Sequence, residues 1–323
     1  MRRLLAALAA GAFLVTASAC GSSGDSTGSD KASSPGGTTK VKVGVIPIVD
    51  VAPLYLGQEK GFFKKHGLEL EISLAQGGAA IVPSVAGGQY QFGFSNSTSL
   101  MIAQSNNVPV KVVSNGIAST GVQGKDFGAL TVKGDSPVRS ADQLAGKKVA
   151  INTLKNINET AVRASVRKAG GDPDAVKFVE LAFDQMPAAL DSGQIDAAMV
   201  VEPALATVKS QGGKEIASPL VDVAPDLTVA MYFTSASYEQ QNADTVKDFK
   251  EALAESLAYA DAHPDEARAI VTTYTKIPAA VLAKVTLPAW PAEPNRQSLD
   301  ALRKLGQEDG LFKSEPDLDK LLP

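Results

Sequence analysis

Cysteine, histidine and aromatic side chains are scarce in these 323 residues, with one Cys, two His, one Trp and 6% aromatics. A lone thiol closes no internal disulfide, so the fold has to rest on its core. His66 in KKHG and His263 in DAHPDE sit in charged, solvated-looking segments without metal-ligand spacing, so neither a metal nor a cofactor is expected. Basic residues are outnumbered, 31 Lys and Arg against 35 Asp and Glu. Without a dense basic cluster, nucleic acid is excluded as a partner. A G-x-x-x-x-G-K-[ST] loop is missing, so ATP hydrolysis is not expected of this chain. Ser, His and acidic residues form no recognisable triad, and the expectation is a protein that is not an enzyme.

Long apolar runs are also missing. The longest near the start, Leu4 to Val15, is too short to span a membrane as a helix. With Arg2 and Arg3 before it and Ala17, Ser18 and Ala19 after it, residues 1–19 read as an export signal peptide. Cys20 follows directly, and the junction resembles the lipobox of bacterial lipoproteins, with Ala17 where Leu is commoner. That resemblance implies a lipid on the Cys20 thiol and attachment to the outer face of the cell membrane. Residues 21–39, GSSGDSTGSDKASSPGGTT, hold no apolar side chain larger than Ala. Such a stretch cannot form a core, so residues 20–39 read as lipidated Cys and flexible tether.

From Lys40 onward, short apolar strands alternate with helical patterns. Strands are predicted over 40–48, 68–74, 90–94 and 108–113, with helices over 53–60 and 79–86 between them. The pattern restarts with KKVAIN at 147–152, a helix near Glu159, strand 176–179, helix 186–190 and strand 195–201. Val43 matches Val149, and Gly88-Gln89 matches Gly193-Gln194 at nearly the same offset, which predicts two similar lobes. A last strand, TVAMYF at 228–233, leads into a helical tail that begins with the amphipathic run 244–262. The fold class is therefore α/β, two mostly parallel sheets joined by a two-crossover hinge. Lobe 1 comprises 40–127 plus 231–323, and lobe 2 comprises 128–230.

Ligands of parallel α/β sheets sit beyond the carboxyl ends of the strands. Four such loops stand out: Asp50 to Pro53, Ser95 to Ser99, Lys155 to Glu159, and Glu202 to Pro203. Asn156 and Glu159 have capping-box spacing, which puts a helix N-terminus, and thus an anion-favouring end, at the third loop. Capping alone explains Asn156 and Ser97 equally well. Gly77 leaves room for close approach to the backbone. Tyr55 and Trp290 fit pocket walls as well as core.

The segments KVGVIPIVDVAPLYLGQEKGFFKKHGLELE, AGGQYQFGFSNSTSL, SADQLAGKKVAI, ALDSGQIDAAMVVEPA and LPAWPAEPNRQSLDALRKLGQEDGLF resemble the nitrate, sulfonate and taurine type of ABC-importer substrate-binding proteins. That group also includes binders of thiamine-precursor pyrimidines. The resemblance implies a monomeric, two-lobed periplasmic-binding-protein-like fold of type II. Such a protein closes on a small solute and delivers it to an ABC permease. The implied ligand-binding residues are Asp50, Val51, Ala52, Gln76, Ser95, Asn96, Asn156, Asn158 and Glu202. Pyrimidine-forming members of the wider group use a Cys-rich segment and histidine, which this chain lacks. TLKNINET departs from the Gly/Ser-rich turn of the family, and Asp50 and Glu202 would repel an anion. Sulfonate, nitrate, carboxylate and a neutral or cationic heterocycle all stay open, as does a sensing role at a membrane receptor.

Overall fold

Strand β1 (Thr39–Val45) alternates Lys40 and Lys42 outward with Val41, Val43 and Val45 inward, the two-residue period of a half-buried strand. The computed structural model describes residues 38–323; the signal segment 1–19, Cys20 and the tether up to Gly37 lie outside the described residues. Lys40 and Lys42 stand directly opposite Glu69 and Glu71 on β2 (Leu68–Leu74), at 3.6 and 3.0 Å. Exposed pairs of this kind set register more than they stabilise.

The other strands are β3 (Phe92–Asn96), β4 (Val110–Ala118), β5 (Gly128–Val132), β6 (Lys148–Ile151), β7 (Lys177–Glu180), β8 (Ala197–Val201), β9 (Lys214–Ala217) and β10 (Thr228–Ser235). They form two five-stranded sheets, ordered β2-β1-β3-β10-β4 and β7-β6-β8-β5-β9. The orders superimpose, with β6 in the place of β1, β7 of β2, β8 of β3, β5 of β10 and β9 of β4. Matched details confirm the repeat. Gly88 and Gly193 both take positive φ, 77° and 74°, after their helices. Gln91 Oε1 accepts from Lys42 N just as Asp196 Oδ2 accepts from Lys148 N, both at 2.8 Å.

The two-lobed α/β class and the two crossings are as expected. The sheets themselves are mixed, because β5 and β10 run antiparallel to both of their neighbours. These two are the crossing strands, the ones by which the chain enters each sheet from the other lobe. The crossings meet where Ser119 N donates to Leu227 O at 2.9 Å. Asp126 braces the turn, accepting from Ser119 Oγ, Thr120 N and Phe127 N at 2.7 to 3.0 Å.

The first sheet's core is aromatic. Phe92 stacks on Phe249 with ring centres 3.8 Å apart, and Phe94 packs against Tyr232. Phe249 belongs to helix Ala243–Ala262, whose Val246, Phe249, Leu253, Leu257 and Ala260 are buried at spacings of three and four residues. Each large side chain so buried contributes roughly 1.5–3 kcal/mol. After β10 the tail is helical, apart from a single bridge between Ala118 and Ala289. No described helix is long and apolar enough to cross a membrane.

Candidate functional site

A cavity of about 580 Å³ opens between the lobes, within the range that encloses small organic molecules. Its first wall is the chain leaving β1 (Ile46, Pro47, Ile48) and β2 (Leu74, Ala75, Gln76), with Tyr274 to Ile277 from the tail. The facing wall is the chain leaving β7, including Phe183 and Gln185, and helix Ala204–Ser210. Both walls are thus built at carboxyl ends of strands, where the repeat places equivalent loops.

The lobes touch beside this cavity. A Cβ added at Gly77 would lie 2.5 Å from Thr153 Oγ1, so the missing side chain lets the opposite lobe approach. Val49 N donates to Glu202 O at 3.2 Å. Glu202, at the end of β8, is 2% exposed. Its oxygens accept from Thr286 N at 3.1 Å and Ala206 N at 2.9 Å. Burial pushes its carboxyl up to about 7, while those two bonds and Lys209 pull the other way.

Of the sequence-predicted residues, Asp50, Val51 and Ala52 are buried at the turn between β1 and helix Ala52–Glu59. Pro53 lies in the first turn of this helix, where its missing N–H costs nothing. Asp50 Oδ1 has no hydrogen-bond partner. Burial pushes its carboxyl up to about 8; its own backbone N–H opposes this, and Asp126 adds repulsion. Gln76 is exposed in the cavity wall. Ser95 is fully buried with an unpartnered Oγ, whereas Asn96 caps helix Ser97–Ser105 by accepting from Ser99 N at 2.9 Å.

Asn156 caps helix Ile157–Lys168, accepting from Asn158 N and Glu159 N. The expected capping box is displaced: Lys155 has φ 54°, and its N–H, in place of Asn156 N, meets Glu159 Oε2 at 2.8 Å. Two N–H groups at this helix end, those of Asn158 and Glu159, are thereby taken by the Asn156 side chain. The Nδ2 groups of Asn156 and Asn158 both donate to Asn152 Oδ1 at 2.8 Å. Lys155 is exposed and is bonded to neither Asp50 nor Glu202.

The sequence reading passed over the wall residue Tyr274 and two buried residues behind the loops, Asn152 and Tyr232. Asn152 was passed over as the end of a strand. Tyr274 donates to Ile48 O at 3.1 Å and stacks on Tyr55 with ring centres 4.0 Å apart. Tyr232 is fully buried with an unpartnered hydroxyl. Trp290, named in the sequence as fitting wall or core, is buried, and its Nε1 reaches Asp50 O at 3.4 Å. A tyrosine in a strand or tail carries no local mark of a cleft, since only the tertiary fold brings residues 55, 232 and 274 together.

Two similar lobes, two crossing strands and a cavity at the strand ends define a fold of the periplasmic-binding-protein kind. A family profile described as NMT1/THI5 like matches residues 48–267, and the chain belongs to that family. The bicarbonate-binding protein CmpA of Synechococcus elongatus is 32% identical over 160 residues, 44% of this chain and 35% of that protein. This chain therefore spans about a third of CmpA's length. The taurine-binding periplasmic protein of Escherichia coli is 25% identical over 204 residues, 63% of this chain and 61% of that protein. Among solved structures, the alkanesulfonate-binding protein SsuA from Xanthomonas axonopodis pv. citri, bound to MOPS, superimposes with a TM-score of 0.75. The match has 15% identity over 89% of this chain and 99% of that one. These relatives are binding proteins.

Proposed function

We propose that this protein is the extracytoplasmic solute-binding component of an ABC importer, binding a small solute between its lobes and passing it to a permease. The observation that carries this reading is the cavity walled by strand-end loops of both lobes, beside a crossing made of only two connections. Few connections between separate cores allow the lobes to part and close. The names of CmpA, the taurine-binding protein and SsuA support a small solute of this size. Binding without catalysis is supported by the relatives, which are named as binding proteins.

The site residues we assign are Asp50, Val51, Ala52, Gln76, Ser95, Asn96, Asn156, Asn158 and Glu202, joined by Tyr274 in the wall. Cys20 carries the lipid, the Gly/Ser-rich segment after it serves as the tether, and the protein works as a monomer at the membrane. Cys20→Ser should move the protein from the membrane fraction to the soluble one; retention at the membrane would remove the anchor.

The solute reading is tested by thermal unfolding of the full chain carrying Cys20→Ser against sulfonates, carboxylates, nitrate, pyrimidines and amines. One class should raise the melting temperature, since binding to the folded state stabilises it by mass action. No shift from any compound at millimolar concentration would contradict the reading.

A further inference from the structure

Glu202 joins the two lobes through two separate bonds. It directly follows β8 in lobe 2 and is 2% exposed. Its carbonyl oxygen accepts from Val49 N of lobe 1 at 3.2 Å. Its side chain reaches the tail, where Oε1 accepts from Thr286 N at 3.1 Å. The other carboxyl oxygen stays within lobe 2 and accepts from Ala206 N at 2.9 Å, in the helix that follows. Both carboxyl oxygens are thus engaged by backbone N–H groups.

Thr286 is tied to lobe 1 on both sides. Arg268 Nε donates to Val285 O at 3.2 Å, and helix Pro264–Ile270, which carries Arg268, packs on helix Ala52–Glu59. Beyond Thr286, Ala289 and Ala118 exchange two backbone bonds at 2.9 and 3.1 Å, at the end of β4. A segment fixed at 285 and 289 moves with lobe 1 and carries the Thr286 N–H with it. Val49, between β1 and helix Ala52–Glu59, moves with lobe 1 as well. Parting the lobes therefore has to break both cross-lobe bonds of Glu202. They lie at the cleft, since the chain neighbours Ile48 and Pro203 both line the cavity.

We propose that Glu202 is a latch between the lobes, whose carbonyl and carboxyl oxygens hold Val49 and Thr286 and set how often the empty protein stands closed. This deepens the solute-binding reading and rests on its moving lobes. The latch also carries a proton. The tail and the helix that cover the carboxyl belong to different lobes, so opening lets water reach it. Burial holds it at about 7 in the closed arrangement, and hydration returns it toward its ordinary 4.5. Closing then takes up a proton between these two values. The stabilisation is complete below about pH 4.5 and is lost as pH rises to about 7, by up to about tenfold in the closed-to-open ratio per pH unit. The charged groups around Glu202 are Lys209 on its own helix, Lys284 in the tail, Asp50 beside Val49, and Asp126 beside Phe127, whose carbonyl accepts from Glu202 N. Lys209 pulls the carboxyl down, while Asp50 and Asp126 are themselves pushed up by burial. A variant at Glu202 separates its proton from theirs.

The test needs no solute. Spin labels at Glu69 and Lys177, exposed on the sheet edges away from the crossing strands, read the distance between the lobes in the full chain carrying Cys20→Ser at pH 5, 6, 7 and 8. A closed, short-distance population should be present at pH 5 and shrink by pH 7. Glu202→Ala should cut its ratio to the open population about tenfold at pH 5, since it removes the acceptor of Thr286 N. Glu202→Gln, which cannot ionise, should give one ratio at all four pH values; thermal unfolding checks that both variants are folded. A closed population that Glu202→Ala leaves unchanged, or a pH dependence that Glu202→Gln keeps, would overturn the latch and leave solute binding to its own melting-temperature test. So would a single population that is the same at every pH and in every variant.

Discussion

Asn156 holds two roles in one side chain. Its Oδ1 caps the helix that follows and its Nδ2 binds Asn152, with the residue 1% exposed. Asn156→Ala should lower stability by about 1 kcal/mol, the usual loss for a cap, read from the urea midpoint. A loss of affinity beyond that of stability would place Asn156 at the solute; a loss in stability alone would leave it a cap. Both halves of this arrangement were only partly legible. The N-x-x-E spacing gave the cap, but the left-handed turn at Lys155 and the shared acceptor Asn152 depend on backbone geometry that spacing does not encode.

Asp50 makes an opposite prediction for the free protein. Its folded-state value, about 8, lies above the ordinary 3.8, so the folded chain holds a proton that the unfolded chain has released. Stability from this group is complete below about pH 4 and is lost as pH rises toward 8. Asp50→Asn should therefore flatten the decline in melting temperature between pH 5 and 8. A slope unchanged by the substitution would mean that Asp50 is ionised or solvated in the folded state.

At the scale of elements, the sequence was read most faithfully where apolar periodicity is long or bounded by turn residues. Strand Leu68–Leu74 has the limits its pattern predicts, and Val246, Phe249, Leu253 and Leu257 are the buried face of helix Ala243–Ala262. Strand β9 (Lys214–Ala217) was missed: four residues with a charged pair and no full alternation resemble a loop, and it forms by pairing with β5 across distant sequence. The helix pair that backs the first sheet makes its own demand. Gly57 sits where an added Cβ would lie 1.8 Å from Ser256 Oγ. Gly57→Ala should destabilise by about 1–3 kcal/mol through overpacking, and Ser256→Gly in the same chain should recover part of the melting temperature. Additive losses would show that the helices do not meet there.

Across the whole molecule, the repeat was legible from two landmarks, and its reason is now concrete: each landmark marks the same strand or turn in sheets of identical order. The antiparallel course of β5 and β10 was not legible, since strand direction leaves no trace in composition. Strand ends do wall the cavity, but of the four loops singled out in the sequence only Pro203 lines it, and its Tyr274 wall depends on the tail folding back over β1. The account's central claim is that the two lobes close on a solute. Its most direct test is the distance between spin labels at Glu69 on β2 and Lys177 on β7, exposed edge-strand positions of the two sheets, in the full chain carrying Cys20→Ser. Adding the solute that raises the melting temperature should shift the distance distribution to a single, narrower population. A saturating solute that leaves the distribution as broad and as placed as in the free protein would contradict the claim.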